Sequence, residues 1–99
     1  MAPLVRRMER PGVLVSRSDS LQLRSGYVVL EPGREVGEHK TEAGEELILM
    51  LDGKAEVVSD GHSEAVDAPC VVLIPPHTSH NVRNLSEDLL RYVYVVVAR

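Results

Sequence analysis

The sequence predicts an all-β domain built as an antiparallel sandwich or barrel. Three observations carry this reading. Apolar residues fall in short runs rich in Val, Leu and Ile. Gly, Pro, Asn and Asp punctuate those runs at close intervals. No stretch sustains the apolar periodicity of an amphipathic helix.

Taken in order, the runs predict strands over 13–16, 21–24, 27–31, 46–51, 54–58, 63–66, 71–74, 81–84 and 90–98. Asp52-Gly53 and Asp60-Gly61 are hairpin dipeptides, because tight turns between strands need positive φ. Pro32-Gly33 and Pro75-Pro76 mark further corners. One helical turn is expected over 4–10, ahead of the first strand. The last strand is apolar on both sides: Tyr92, Tyr94 and Val96 share one face, and Val93, Val95 and Val97 the other. A surface strand alternates apolar with polar residues, so this one should be covered twice. The cover is the core of the chain itself, a second sheet or a second subunit.

With 99 residues the chain predicts a single domain, 1–99, with its barrel core over about 26–98 and an N-terminal strand segment over 1–25. So short a chain buries a modest fraction of its surface, which leaves stability thin or shared with a partner. A homodimer is expected, with the N-terminal segment and the last strand at its interface. Apolar residues make up 43%, enough for a packed core and too many for a disordered chain. Phe and Trp are absent, and Tyr27, Tyr92 and Tyr94 are the aromatic residues. The core must be built from Val, Leu and Ile, and a pocket inside it is expected to be aliphatic.

Cys70 is the single cysteine, which excludes an internal disulfide and fits a reducing compartment. The opening MAPLVRRMERPG carries basic residues without an apolar core, so no secretory leader is expected. The apolar run from Tyr92 is far too short to span a bilayer. A cytoplasmic protein that engages neither membrane nor nucleic acid follows, the latter also because the net charge is −4. Between Glu31 and Glu46, six acids (Glu31, Glu35, Glu38, Glu42, Glu45, Glu46) oppose two bases (Arg34, Lys40), which accounts for the whole −4. Such a run is either a solvated loop or a field that gathers cations.

The four histidines are His39, His62, His77 and His80. His62 follows the Asp60-Gly61 turn and is expected in solvent without a role. The others have informative spacing. His39 follows Gly33 by six positions, Glu46 follows His39 by seven, and Gly53 follows Glu46 by seven. His80 follows Pro75 by five and precedes Asn84 by four. Neutral imidazole and carboxylate together suit Mn(II), Fe(II), Zn(II), Ni(II) or Co(II), and two His with one carboxylate leave coordination positions open. Glu46 shares a strand face with Ile48 and Met50, and an inward carboxylate among apolar neighbours needs a cation or a donor.

Gly33, His39, Glu46 and Gly53 resemble the first cupin motif, G-x5-H-x-H-x4-E-x6-G. Pro75, His80 and Asn84 resemble the second, G-x5-P-x-G-x2-H-x3-N. Thr41 replaces the second histidine of the first motif. In the second, Pro69 and His77 stand where glycines belong. The resemblance implies a double-stranded β-helix, or jelly-roll, barrel in which His39, Glu46 and His80 hold a divalent metal. Thr41 is then a spectator or the holder of a metal-bound water. His77 either lines the entrance or supplies a further nitrogen from the rim.

Cupins share a fold and differ in activity. The resemblance therefore implies a metal-dependent enzyme of oxygenase, isomerase or decarboxylase type acting on a small organic molecule. A module that binds a small ligand or metal without turnover, and a structural dimer with a vestigial pocket, are the alternatives. No nucleophile paired with a base and no phosphate-cradling glycine loop is present.

Overall fold

Residues 2–97 are described by a computed structural model, and all of their regular structure is strand. The strands are β1 (Gly12–Val15), β2 (Leu23–Leu30), β3 (His39–Lys40), β4 (Glu45–Asp52), β5 (Lys54–Ser59), β6 (His62–Asp67), β7 (Cys70–Ile74), β8 (Ser79–Arg83) and β9 (Leu90–Val97). They form a five-stranded sheet of order β1-β2-β9-β4-β7 and a four-stranded sheet of order β3-β8-β5-β6. Every pairing is antiparallel. This is the all-β jelly-roll barrel that the sequence predicts. Among the described residues no helix is long and apolar enough to cross a membrane.

The register of β9 organises the larger sheet. Its residues Leu90, Tyr92, Tyr94 and Val96 lie opposite Leu30, Val28, Gly26 and Arg24 of β2. On its other side Tyr92, Tyr94 and Val96 lie opposite Met50, Ile48 and Glu46 of β4. Directly opposed residues share a sheet face, so one row of side chains runs inward across three strands. Ile48, Met50, Ile74, Leu90 and Tyr92 from this sheet meet Ala55, Val57 and Val82 from the other, and all eight are buried. Without Phe or Trp, this cluster is aliphatic apart from Tyr92, and Tyr27 is buried elsewhere on β2. Among the described residues no second sheet lies over the opposite face of β9: Val93, Val95 and Val97 are half-buried, and Leu47, Val71 and Leu73 on neighbouring strands of that sheet are exposed.

Of the two hairpin dipeptides, Asp60-Gly61 makes the expected hairpin, whereas Asp52-Gly53 is corrected to a corner between the sheets: β4 and β5 lie in different sheets and do not pair. Asp60 and Gly61 carry φ of 46° and 83° and join β5 to β6 in two residues, the sign required of a type I′ turn. Gly53 has φ of 97°, and a Cβ there would lie 2.6 Å from the Leu89 carbonyl oxygen. That position accepts glycine alone.

Two pins close the far end of the barrel. The Asn84 side chain, fully buried, donates to the Leu30 and Asp88 carbonyls at 2.9 and 2.8 Å and accepts from the Ser86 amide and hydroxyl. The Asn84 backbone meanwhile exchanges hydrogen bonds with the Gly33–Arg34 turn: the Gly33 amide donates to the Asn84 carbonyl, and the Asn84 amide donates to that of Arg34. The glycine of one sequence motif and the asparagine of the other are thus bonded to each other.

Two further expectations are corrected. Residues 4–10 form no helix: seven residues between Pro3 and Pro11 gain too few hydrogen bonds to offset helix nucleation, and no apolar face is covered. Instead the Arg6 guanidinium donates to the Leu14 carbonyl and to Asp19, whose carboxyl it holds well below the usual carboxylate range. The expected strands over 21–24 and 27–31 are one strand, β2. Ser25 and Gly26 read as a break, yet the Ser25 hydroxyl donates to the Tyr94 carbonyl at 2.8 Å, and the Tyr94 ring lies against Gly26. His62 follows the Asp60-Gly61 turn as the first residue of β6 and is solvent-exposed, as expected. The last strand follows the predicted course to Val97; Ala98 lies outside the described residues.

A Cβ at Gly26 would collide with the Tyr94 ring. Gly26→Ala should therefore destabilise the fold by about 1–3 kcal/mol, as overpacking does. In a Tyr94→Ala background the same change should cost much less, which a double-mutant cycle by urea unfolding would read directly.

Candidate metal centre

The two sheets bring three predicted residues together. Glu46 stands second in β4 and points inward in the row of Ile48 and Met50, 7% exposed. His39 and His80 are cross-strand partners on β3 and β8 of the opposing sheet. Their rings lie 4.0 Å apart between centroids, tilted by 59°. Glu46 Oε1 is 3.3 Å from His80 Nε2 and 3.8 Å from His39 Nε2. One ligand-type atom from each of the three residues lies within 4.8 Å of the others. Of the six acids between Glu31 and Glu46, Glu46 alone is buried.

The backbone sets the tautomer of each neutral ring. His39 Nδ1 lies 3.1 Å from the Gly37 carbonyl and His80 Nδ1 lies 3.3 Å from the Thr78 carbonyl. A carbonyl oxygen can only accept, so each Nδ1 donates and each neutral ring presents a bare Nε2 lone pair. These lone pairs face a carboxylate that also only accepts. His80, 1% exposed, has no hydrogen-bond partner at Nε2. Leaving a buried polar atom unpaired typically costs about 1–3 kcal/mol. Three convergent acceptors without a donor are the electrostatic complement of a cation, and backbone carbonyls behind ligating imidazoles are the usual way of orienting them. The residues present therefore fit a divalent metal. His39, with its side chain 47% exposed, opens the cluster toward solvent.

Thr41 and His77 stand apart from this cluster. The Thr41 hydroxyl, buried, donates to the Pro75 carbonyl at 2.6 Å and accepts from the Thr78 amide at 2.9 Å. The Thr41 amide also donates to Thr78 O, the atom that receives His80 Nδ1. Thr41 thus fastens the corner from which His80 projects, and its hydroxyl is committed to that corner. His77 is exposed, in the left-handed region with φ of 53°, and its amide donates to the Glu42 carbonyl at 2.8 Å. Cys70 is half-buried against the core.

A cavity of about 470 Å³ opens onto the cluster. His39 and Glu46 line it together with Arg24, Val28, Val36, Tyr92, Tyr94 and Val96. The expected aliphatic pocket is corrected here, because two of the three tyrosines face it. Their signal was in the sequence, since Tyr92, Tyr94 and Val96 share a strand face. It became a pocket signal only once the register set that face beside Glu46. Arg24 had no sequence signal at all. Burial first, then the Glu46 carboxylate and Tyr94, push the Tyr92 phenol well above its ordinary pKa, so it remains a neutral hydroxyl beside the carboxylate.

A family model described as "Cupin domain" matches residues 26–97. A cupin 2 conserved barrel domain protein from Salinispora arenicola superposes with a TM-score of 0.80 at 25% identity, covering 97% of this chain and 89% of that one. A predicted oxalate decarboxylase from Thermotoga maritima superposes at 0.86 with 22% identity, covering 98% and 100%. In sequence, 69 residues are 29% identical to a protein named polyketide synthase CurC from Streptomyces cyaneus. That match takes in 70% of this chain but spans only 45% of the relative.

Thr41→Val removes the hydroxyl's hydrogen bonds and takes from the Thr78 amide and the Pro75 carbonyl their partner there. It should destabilise the protein by about 1–3 kcal/mol in chemical denaturation, whereas Thr41→Ser, which keeps the hydroxyl, should stay close to wild type.

Proposed function

This chain belongs to the cupin family, and we propose that it holds one divalent metal through His39, Glu46 and His80 and uses it to bind and transform a small organic molecule in the barrel pocket. The observation that carries the reading is the set of three acceptors, two imidazole nitrogens and a buried carboxylate, that face one another without a donor. Mn(II), Fe(II), Zn(II), Ni(II) and Co(II) all suit such a set. A metal bound there supplies Lewis acidity toward a ligand oxygen at an open coordination position. The protein's own part is to orient two imidazoles from the Gly37 and Thr78 carbonyls, to shield Glu46 from water, and to present the neutral Tyr92 phenol beside the site. An oxygenase, isomerase or decarboxylase reaction fits this arrangement. A module that binds the same ligand without turnover uses the same residues, and turnover of substrate separates the two.

We also propose that the chain works as a cytoplasmic homodimer. The exposed Leu47, Val71 and Leu73 and the half-buried Val93 and Val95 support it, as an apolar sheet face over which the described residues place no second sheet. The lone Cys70 suits a reducing compartment. Light scattering should give twice the 10.9 kDa of one chain; a monomer mass at micromolar concentration would rule the dimer out.

A ligand that binds the folded state alone adds about 2.7 kcal/mol at a hundredfold excess over Kd, which in a domain of this size is a rise of about 10 °C or more in Tm. Chelation should lower Tm, and Mn(II), Fe(II) or Zn(II) should restore it. His80→Ala, Glu46→Ala and His39→Ala should each remove the response, and His77→Ala should retain it. Wild-type protein whose Tm ignores all of these metals would refute the metal reading.

A further inference from the structure

We propose that Arg24 makes this pocket selective for small organic anions, receiving the charged end of a ligand whose other end sits at the His39–Glu46–His80 cluster. The inference rests on the metal reading above and adds the chemical class of the ligand.

Arg24 sits on β2, half-buried, and lines the same cavity as His39 and Glu46. Its position follows from the register. Arg24 lies opposite Val96, and Val96 lies opposite Glu46, so the three form one row across β2, β9 and β4. Two strand spacings separate the Arg24 and Glu46 backbones, about 10 Å. Side chains reaching inward from both ends leave room for a compact molecule between them. Glu46 and Arg24 do not pair: no carboxylate lies within 4.0 Å of the Arg24 guanidinium among the described residues, and its side chain makes no hydrogen bond there. By contrast Arg6, Arg83 and Arg91 all hold carboxylate partners. A guanidinium offers a planar fork of donors matched to a carboxylate.

The wall between the two ends is built to stay in place. The Tyr94 ring lies against Gly26, a strand position at which any Cβ would collide with it. It is therefore seated two residues beyond Arg24 along β2, and Val28 and Val96 complete an apolar flank. The pocket thus reads as a polar cluster at one end, an apolar middle, and an unpaired cation at the other. A ligand with a metal-seeking oxygen, a short carbon body and a remote carboxylate matches all three. A neutral ligand of the same length leaves the guanidinium without a partner.

Two hydroxamates of equal chain length test this on the Co(II)-loaded full chain. Succinic monohydroxamate carries a terminal carboxylate, and butanohydroxamate carries a methyl group in its place. Binding is read from the visible Co(II) absorption and requires no knowledge of the reaction. Wild-type protein should prefer the carboxylate probe by about tenfold or more, in keeping with a charge-assisted hydrogen bond. Arg24→Gln should erase that preference while binding butanohydroxamate and Co(II) as wild type does, which also establishes that the variant is folded. Arg24→Lys should retain part of it. Equal affinity for the two probes in the wild type, or a preference that survives Arg24→Gln, would overturn the role of Arg24 and leave the metal site standing. Failure of the wild type to take up Co(II) would instead overturn the metal reading, and this inference with it.

Discussion

Everything at the functional end of this barrel depends on one electrostatic constraint: Glu46, buried on one sheet, faces two imidazole lone pairs on the other. An ionised carboxylate removed from water needs a compensating partner. The two imidazole atoms that face it, His39 Nε2 and His80 Nε2, are themselves acceptors as long as Nδ1 of each ring donates to a backbone carbonyl. Protonating an imidazole would supply a donor for one contact. A divalent cation satisfies all three acceptors at once, with the geometry that β3, β4 and β8 already hold.

Much of the remaining chain serves to keep those three atoms in register. His80 follows a corner fastened by the Thr41 hydroxyl and amide, and His39 leads directly into the same pairing. At the opposite end of the strands, Asn84 bonds to Gly33 and Arg34 and so ties the turn before His39 to the strand that carries His80. The family motifs therefore combine ligands with the backbone devices that aim them. Gly33, Gly53 and Asn84 act through turns and pins, whereas His39, Glu46 and His80 form the cluster proposed to hold the metal. Thr41, at a ligand position of the motif, has been recruited to the framework.

The all-β class and most strands were legible because a jelly roll alternates apolar residues with turn dipeptides, and both signals are local. The His39, Glu46 and His80 cluster was legible because motif spacing encodes which side of each strand a residue occupies. What escaped was long-range. Ser25-Gly26 carries the local signature of a break, and only a tyrosine almost seventy positions away explains why the strand continues through it. Arg24 enters the pocket through its register with Val96, which no local pattern announces. The N-terminal stretch failed in the other direction: a faint helical pattern between two prolines yields to the ion pair of Arg6 with Asp19.

The cavity also refines what the pocket can hold. Three valines and two tyrosine rings make up most of its wall, beside the polar Arg24, His39 and Glu46. In a mostly apolar pocket a few polar groups orient a ligand, and the apolar wall tolerates variation in its body. That tolerance fits a family in which one barrel serves many chemistries.

The central claim is that three protein acceptors hold one metal ion, and metal content addresses it most directly. Protein purified without an affinity tag and analysed for transition elements should contain, or take up after dialysis against Mn(II), Fe(II) or Zn(II), about one equivalent per chain. His80→Ala treated identically should contain almost none. Wild-type protein that stays metal-free through this treatment, or a His80→Ala protein that retains a full equivalent, would contradict the account.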